Sequence, residues 1–312
     1  MFTSITIIGA GAFGYAIAFL LSKNGHTVNL YDVNTTVLDA IESTREHPHF
    51  HQGVFLPSNV TIVREPVPAD LVISVVPSKF ARDALNNLKC RVLLNCSKGL
   101  EPGTNARVSE MTDKVYACLS GGMVAADVTK GNPVGMDVAC SDLSIASGIA
   151  DLFRCDTVRV RACTDVTGVE LAGPFKNVAA IGAGMLQVSS SMSTVGGYLS
   201  AVSKECERLA VAMGADPRTF ASGSFSWWGD LMTTCYGASR NREFGQRCVE
   251  SAPMIVYDDM TAEKKSVEGY HTAQLVYDLC QKYNVHAPIL TGIKQVLYDA
   301  MSVEEFKRVC IK

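Results

Sequence analysis

Three segments of this chain place polar side chains within otherwise apolar surroundings, and their residue types suit the reduction of a ketone. Such a reaction requires a hydride donor, an acid for the developing alkoxide and an anchor for the rest of the substrate. Lysine can serve as the acid, because its ordinary pKa of about 10.4 falls when the side chain is buried or lies near another cation. The three segments are Cys96–Glu101, Lys176–Asn177 and Gly229–Arg242.

Lys176 is the predicted acid, because it lies within the apolar run Val166–Val188. Lys98 is a candidate second cation, and Asp230 is a candidate for orienting or balancing the two lysines. The alternative for Lys176 is an ordinary surface role, in which its methylene groups cover apolar neighbours and its ammonium group reaches solvent. The spacing of the segments leaves both interpretations open.

Arg240 and Asn241 are the candidates for anchoring an anionic group such as phosphate. Arginine suits this role because its guanidinium group presents a planar fork of donors. The alternative is that Arg240 and Arg242 belong to a solvated charged face.

The segment Gly9–Gly14 has the pattern G-x-G-x-x-G, and it follows an apolar strand and opens a helix. In that context the first glycine permits a tight turn, Gly11 lets the backbone approach a pyrophosphate, and Gly14 lets helix and strand pack closely. The turn, including Ala12 and Phe13, is predicted to bind a dinucleotide at the helix N-terminus, where N–H groups attract phosphate.

Asp32 follows the second predicted strand, 18 residues after Gly14. A carboxylate at this position accepts hydrogen bonds from the adenosine ribose and repels a 2′-phosphate. Since Val33, Asn34 and Thr35 follow and no arginine stands beside Asp32, the sequence favours NAD over NADP.

The elements that position these residues indicate two domains. Residues 1–164 alternate short apolar strands with helices, which predicts an α/β fold with a Rossmann-type doubly wound parallel sheet and two added strands at one edge. Pro77 and Ser78 follow its fourth strand and are predicted to line the cofactor, although proline is also a common helix-start residue. Residues 165–312 show helical periodicity, which predicts an all-helical substrate and catalytic domain. Its predicted helices are Val166–Val188, Val195–Met213, Ala262–Tyr283 and Pro288–Ala300.

The composition narrows the possible partners. A net charge of -3 gives no basic excess for nucleic acid, and no apolar stretch is long enough to span a membrane. We therefore expect a cytoplasmic protein with a small-molecule substrate. The 11 cysteines include no C-x-x-C pair, which favours reduced, mostly buried thiols and predicts no metal site.

At these residues the sequence resembles the NAD-dependent glycerol-3-phosphate dehydrogenase family, in particular its compact bacterial type. The resemblance covers nearly the whole chain and rests on several motifs in the right order. They are the Gly9–Gly14 turn, Val75–Ser78, Ser97–Glu101, Lys176–Gly184, Gly229–Leu231, Thr234–Cys235, Ser239–Arg242 and Val267–Tyr270.

The resemblance implies interconversion of dihydroxyacetone phosphate and sn-glycerol 3-phosphate with NADH and NAD, between carbohydrate and glycerophospholipid metabolism, by a homodimer. It implies that Lys176 is the acid/base and that Lys98 polarises the substrate, with Asp230 in support. Substrate contacts would come from Asn177, Thr234, Arg240 and Asn241. Further cofactor contacts would come from Lys98, Ala125, Arg240 and Glu268.

Three departures from the family pattern bear on the substrate. Gly122-Met123 replaces a Pro-[Ser/Thr] pair, Trp227 and Trp228 precede Gly229-Asp230, and Pro174 lies two residues before Lys176. Two indoles would narrow the substrate site, and a proline within a helix tends to kink it. One alternative is therefore a related NAD-dependent dehydrogenase for another phosphorylated, phosphonate or carboxylate hydroxy compound. The other is a dinucleotide-binding sensor without catalysis.

Overall fold

The computed structural model describes residues 2–86 and 88–310, and the chain divides into two units, Met1–Glu170 and Leu171–Lys312. The first unit contains a sheet, and the described part of the second is helical. The boundary falls within a long helix, Val166–Gln187, where the sequence analysis placed it between residues 164 and 165.

The described residues of the first unit form one sheet of eight strands. The strands are β1 Ile5–Ile8, β2 Val28–Tyr31, β3 Val60–Ile62, β4 Ala69–Ser74, β5 Cys90–Asn95, β6 Tyr116–Ser120, β7 Val134–Cys140 and β8 Val158–Cys163. Their helices are α1 Ala12–Lys23, α2 Thr35–Thr44, α3 Ala81–Leu85, α4 Ala125–Lys130 and α5 Leu143–Phe153. Strand β1 is buried along its whole length, as expected for a sheet covered on both faces.

The strand order is β3-β2-β1-β4-β5-β6-β7-β8, and β1 to β6 run parallel. The order reverses between β1 and β4, so the chain leaves these neighbouring strands in opposite directions across the sheet. Open α/β sheets bind ligands at this switch point, beside the carboxyl ends of the strands. The glycine turn follows β1 and Pro77 follows β4, so both lie at this edge.

The expectation of a parallel sheet is wrong at one edge, because β7 runs antiparallel to β6 and β8 follows β7 in parallel. The short connection explains the reversal. Helix α4 has six residues and so spans about 9 Å, whereas the five residues of β6 extend about 16 Å. The connection is too short to return the chain to the start of β6, and β7 therefore runs back alongside it.

The second unit continues the long helix, α6 Val166–Gln187, with further helices and short turns. The helices are α7 Met192–Ala212, α8 Asp230–Tyr236, α9 Arg240–Arg247, α10 Pro253–Ala262, α11 Glu268–Lys282, α12 Pro288–Tyr298 and α13 Val303–Cys310. The single predicted helix Ala262–Tyr283 is wrong, because α10 ends at Ala262 and α11 begins at Glu268. Lys264 adopts a left-handed conformation (φ 59°) between them, which stops helical propagation.

In the described residues, no helix is both long and apolar enough to cross a bilayer, and no group of three His, Cys, Asp or Glu side chains is arranged to hold a metal. Seven of the 11 cysteines are buried, in agreement with the expectation of buried thiols.

Glu205 on α7 supplies the N-terminal cap of α12. Ala287 precedes this helix and has no side chain that can accept a hydrogen bond. The Glu205 carboxylate instead accepts from the backbone N–H groups of Ile289 (3.0 Å) and Leu290 (2.9 Å). The carboxylate therefore joins the two helices inside the unit, where Glu205 is 4% exposed.

We expect Glu205→Ala to lower the free energy of unfolding by about 2–3 kcal/mol, because two buried N–H groups lose their acceptor. Glu205→Gln keeps one acceptor and should cost about half as much. Burial raises the pKa of Glu205, so the folded chain binds this proton more readily than the unfolded chain. The resulting stabilisation is complete below the unfolded pKa and is lost as the pH rises through the folded pKa. Urea unfolding across pH 4–8 measures both effects, and a pH-independent gap between the unmodified protein and Glu205→Gln would contradict the second.

Candidate functional site

The glycine turn of the first unit has the shape of a phosphate cradle. Gly9 adopts a φ of 104°, which side-chain-bearing residues rarely reach. A Cβ atom on Gly14 would lie 1.8 Å from the carbonyl oxygen of Gly9, so the helix approaches the turn as closely as glycine allows. A Cβ atom on Gly11 would meet nothing within 4 Å, so this side of the turn is open. The cradle therefore fits a pyrophosphate, as the sequence predicts.

Asp32 holds the turn in addition to its predicted contact with ribose. Its Oδ2 accepts from the N–H of Ala10 at 2.6 Å, and its Oδ1 accepts from the N–H of Asn34 at 2.8 Å. The carboxylate thus links the end of β2 to the glycine turn. Its position after β2 is the one that the sequence analysis assigned to it.

The loops after the neighbouring strands bring further predicted residues to this edge of the sheet. The Lys98 ammonium group donates to the carbonyl oxygen of Gly121 at 2.8 Å, which connects the loops after β5 and β6. Ser78 begins a 3₁₀ turn, and a Cβ atom on Gly99 would lie 2.3 Å from its Oγ. Pro77 is exposed and immediately precedes this turn, whereas Ala125 is half-buried and begins α4.

In the second unit, Lys176 is buried in a polar cluster with two of the predicted residues. Its Nζ lies 2.7 Å from Thr234 Oγ1 and 3.0 Å from Asp230 Oδ1, and it is 7% exposed. Thr234 in turn donates to the carbonyl oxygen of Asp230 at 2.6 Å. The alternative of a lysine that reaches solvent is therefore wrong, because burial and both contacts hold the ammonium group inside the unit.

A second group of predicted residues lies where α6, α9 and α11 meet. Asn177 Nδ2 donates to Glu268 Oε2 at 3.3 Å, and Asn241 Oδ1 accepts from the N–H of Gly269 at 2.9 Å. A Cβ atom on Gly269 would lie 2.8 Å from both the Asn177 carbonyl oxygen and Asn241 Oδ1. The first turn of α11 therefore contacts both asparagines directly.

Helices α6 and α9 approach each other through glycine. A Cβ atom on Gly184 would lie 2.1 Å from the carbonyl oxygen of Arg242, and one on Gly245 would lie 2.0 Å from that of Ile181. Each helix therefore rests on the backbone of the other. This contact sets the spacing between Asn177 on α6 and Asn241 on α9.

Arg240 is the first residue of α9 and is exposed. Its guanidinium group makes no hydrogen bond or ion pair with the residues that the structure describes. Arg242 differs from it, because its Nη1 donates to Gln187 Oε1 at 3.1 Å. Within the second unit the structure thus brings together Lys176, Asp230 and Thr234, and separately Asn177, Asn241 and Glu268, but joins Arg240 to neither group.

A π-helical turn, Phe225–Gly229, precedes Asp230 and carries the two tryptophans. Trp227 is fully buried, its Nε1 donates to Ser203 Oγ at 2.9 Å, and its ring lies 4.9 Å from that of Phe220. The prediction that this indole narrows the substrate site is therefore wrong, because Trp227 packs into the core. Trp228 is half-buried and stays a prediction.

Cys235 lies next to Thr234 and close to the lysine cluster. Burial raises the pKa of its thiol to about 12, although the charge of Lys176 opposes the increase. The thiol is therefore protonated at neutral pH, and Lys176 is the better candidate for proton transfer.

Comparison with known proteins identifies the relatives of both units. Residues 4–146 match the family model described as NAD-dependent glycerol-3-phosphate dehydrogenase N-terminus, and residues 165–308 match the model for its C-terminus. The chain belongs to the NAD-dependent glycerol-3-phosphate dehydrogenase family. The family therefore pairs an NAD-binding domain with a helical domain, as the resemblance of the motifs implies.

Bacterial relatives match the family along almost their full length. The glycerol-3-phosphate dehydrogenase (NAD(P)+) of Nitratidesulfovibrio vulgaris is 33% identical, over 95% of this chain and 94% of its own. The protein of the same name from Citrifermentans bemidjiense is also 33% identical, over 98% and 96%. The crystal structure of glycerol-3-phosphate dehydrogenase from Coxiella burnetii shares the fold, with a TM-score of 0.87 at 22% identity and 99% of each chain covered.

Sequence reasoning missed His47, which contacts the glycine turn. This residue is 2% exposed, and its Nε2 lies 2.9 Å from the carbonyl oxygen of Ala10. The available signal was composition, since three of the six histidines fall within residues 47–51.

Proposed function

We propose that this protein interconverts dihydroxyacetone phosphate and sn-glycerol 3-phosphate, with NADH and NAD as the cofactor pair. Membership of the family supports the reaction. The observation that carries the proposal is the buried Lys176 ammonium group, held by Thr234 and Asp230 on segments that match the family motifs. A buried cation with fixed donors suits the protonation of a developing alkoxide.

The cofactor is proposed to bind at the glycine turn, where Gly9, Gly11, Ala12, Phe13 and Gly14 would hold the pyrophosphate. Asp32 would accept from the adenosine ribose. The NADH, when bound, supplies the hydride. The carboxylate at position 32 supports a preference for NADH over NADPH, because it would repel a 2′-phosphate. Pro77, Ser78, Lys98, Ala125, Arg240 and Glu268 are the further proposed contacts.

Lys176 is proposed to donate a proton from Nζ to the substrate oxygen during reduction and to accept it in the reverse direction. Asp230 and Thr234 keep the ammonium group in place, because each holds Nζ at hydrogen-bond distance. Lys98 is proposed to polarise the carbonyl group of the substrate. Its donation to the Gly121 carbonyl oxygen fixes the direction of the side chain.

Arg240 is proposed to bind the phosphate of the substrate, with Asn241 and Asn177 as polar neighbours. The exposure of Arg240 at the first turn of α9 supports this role, since the N-terminus of a helix also favours an anion. The buried carboxamides of Asn177 and Asn241 are already oriented by Glu268 and Gly269.

The cellular role and assembly are proposed from the family alone. The reaction would connect carbohydrate metabolism to glycerophospholipid synthesis in the cytoplasm, and the protein would act as a homodimer. The particle mass measured by light scattering checks the dimer.

Initial rates with dihydroxyacetone phosphate, measured with NADH and NADPH side by side, test the proposed function. We expect turnover with both substrates present and a higher kcat/KM for NADH. The same assay with unphosphorylated, phosphonate and 2-oxo acid substrates is the comparison. Failure on dihydroxyacetone phosphate with turnover of another ketone would favour a related dehydrogenase. Tight binding of NADH without turnover of any ketone would favour a sensor.

A further inference from the structure

Two histidines of the segment Glu46–Val54, between α2 and β3, contact the backbone of the glycine turn. His47 Nε2 lies 2.9 Å from the carbonyl oxygen of Ala10, and His51 Nε2 lies 2.7 Å from that of Ala12. The segment is fastened to α1, since the Tyr15 hydroxyl lies 2.7 Å from the carbonyl oxygen of Val54. The histidines thus reach the turn from a supported loop.

The hydrogen bonds of His47 define where its proton lies. Its Nδ1 is the acceptor for the backbone N–H groups of His49 (3.0 Å) and Phe50 (3.2 Å). Because a backbone N–H can only donate, Nδ1 carries no proton, and the neutral ring carries its proton on Nε2. His47 therefore donates to the Ala10 carbonyl oxygen while it caps its own loop.

The two peptide groups that flank Ala10 are held from different elements. Asp32 accepts the N–H of Ala10 and so fixes the peptide between Gly9 and Ala10. His47 donates to the carbonyl of Ala10 and so fixes the peptide between Ala10 and Gly11. In a trans peptide the N–H points opposite to the carbonyl, so the N–H of Gly11 points away from His47.

We propose that His47 is a positioning residue for the dinucleotide: by holding the Ala10 carbonyl, it fixes the direction of the Gly11 N–H toward the pyrophosphate. The proposal rests on the cofactor site assigned under the proposed function. The open space at Gly11 supports it, since this is the side from which a ligand can approach the backbone. A fixed donor binds a phosphate oxygen without paying to order the turn first.

Protonation distinguishes His47 from His51. A proton on His47 Nδ1 would displace both loop N–H groups, and burial lowers the pKa of this ring. The charges of His49 and His51 oppose protonation further, whereas Asp32 and the Ala10 carbonyl favour it, and the neutral Tyr15 ring lies edge-on at 5.5 Å. His51 accommodates a proton, because its Nδ1 lies 3.2 Å from the Thr129 hydroxyl, which can accept from it.

Two substitutions separate the contact with Ala10 from the loop cap. His47→Asn keeps an acceptor at the position of Nδ1 but loses the donor to Ala10. His47→Gln keeps a donor that reaches the position of Nε2 but loses the acceptor for the loop. His49→Gln is the matched control, because its side chain is exposed and only its backbone N–H contacts His47.

The experiment measures the dissociation constants of NADH and of ADP-ribose by titration calorimetry at pH 7.5, with thermal unfolding of each variant. We expect His47→Asn to weaken both ligands about tenfold at a nearly unchanged melting temperature. We expect His47→Gln to melt at a lower temperature but to bind both ligands within about threefold of the unmodified protein, and His49→Gln to match it in both respects. Unchanged affinity in His47→Asn, or equal losses of affinity in the two His47 variants, would overturn the proposal.

A pH series with ADP-ribose, which is stable in acid, gives a second readout. Affinity of the unmodified protein should fall as the pH drops below 6.5 toward the lowered pKa of His47, and the series for His47→Asn should be flatter. Parallel series would overturn the proposal. Its failure is distinct from failure of the proposed function, since the latter would appear as an unmodified protein that does not turn over dihydroxyacetone phosphate.

Discussion

Lys176→Met should lower the kcat for reduction of dihydroxyacetone phosphate by about 10³-fold or more, while the dissociation constant of NADH stays within about twofold. Methionine fills a similar volume but cannot donate a proton. Lys176 is 7% exposed and contacts Asp230 and Thr234, so water has little access to replace its ammonium group. Stopped-flow single-turnover rates and NADH titration measure the two quantities.

Loss of the lysine also leaves the buried Asp230 carboxylate without its cation, which can cost about 3–5 kcal/mol of stability. The double variant Lys176→Met/Asp230→Asn removes this unpaired charge. It should recover most of the stability and none of the turnover. Substantial turnover in the double variant would contradict the assignment of Lys176 as the acid, and the thermal unfolding of both variants separates chemistry from folding.

Arg240→Leu should lower the kcat/KM for dihydroxyacetone phosphate by about 10²–10³-fold. Two hydrogen bonds from a guanidinium group to a phosphate are worth about 1.5–3 kcal/mol each, and about 1.4 kcal/mol corresponds to tenfold. Arg240 makes no ion pair with the described residues, so its removal breaks no protein contact that the structure describes. Initial rates over a range of ketone concentrations measure the loss.

Unphosphorylated dihydroxyacetone is the control substrate for this variant. It lacks the group that Arg240 is proposed to bind, so its low rate should be the same in Arg240→Leu and in the unmodified protein. Equal losses with both ketones would instead place Arg240 in the binding of NADH or in catalysis. Arg240→Lys should recover only part of the rate, because an ammonium group cannot form the two parallel hydrogen bonds.

The parts of the fold that local chemistry determines were predictable from the sequence. The glycine turn and the helix after it follow from residue types at fixed spacing, and the helical second unit follows from its periodicity. Strand direction is different, because β7 carries the same apolar pattern whichever way it runs. Only the length of its connection to β6 determines that it runs antiparallel.

Contacts between distant segments were less accessible. Lys176 and Asp230 are 54 residues apart along the chain, and the family resemblance, not the spacing, pointed to their association. Trp227 was expected beside the substrate because Asp230 follows it closely, but the π-helical turn directs it into the core. The loop position of His47 gives no periodic signal, so its contact with Ala10 could only be found in three dimensions.

The close contact between α6 and α9 has a consequence for protein engineering. Gly184 and Gly245 place backbone against backbone, so no layer of side chains between these helices is available for adjustment. Mutagenesis that resizes core residues would therefore leave the separation of Asn177 and Asn241 unchanged. Libraries that aim at longer or shorter substrates would do better to vary the exposed start of α9 and the residues around Trp228, since the glycine contact behaves as a fixed ruler.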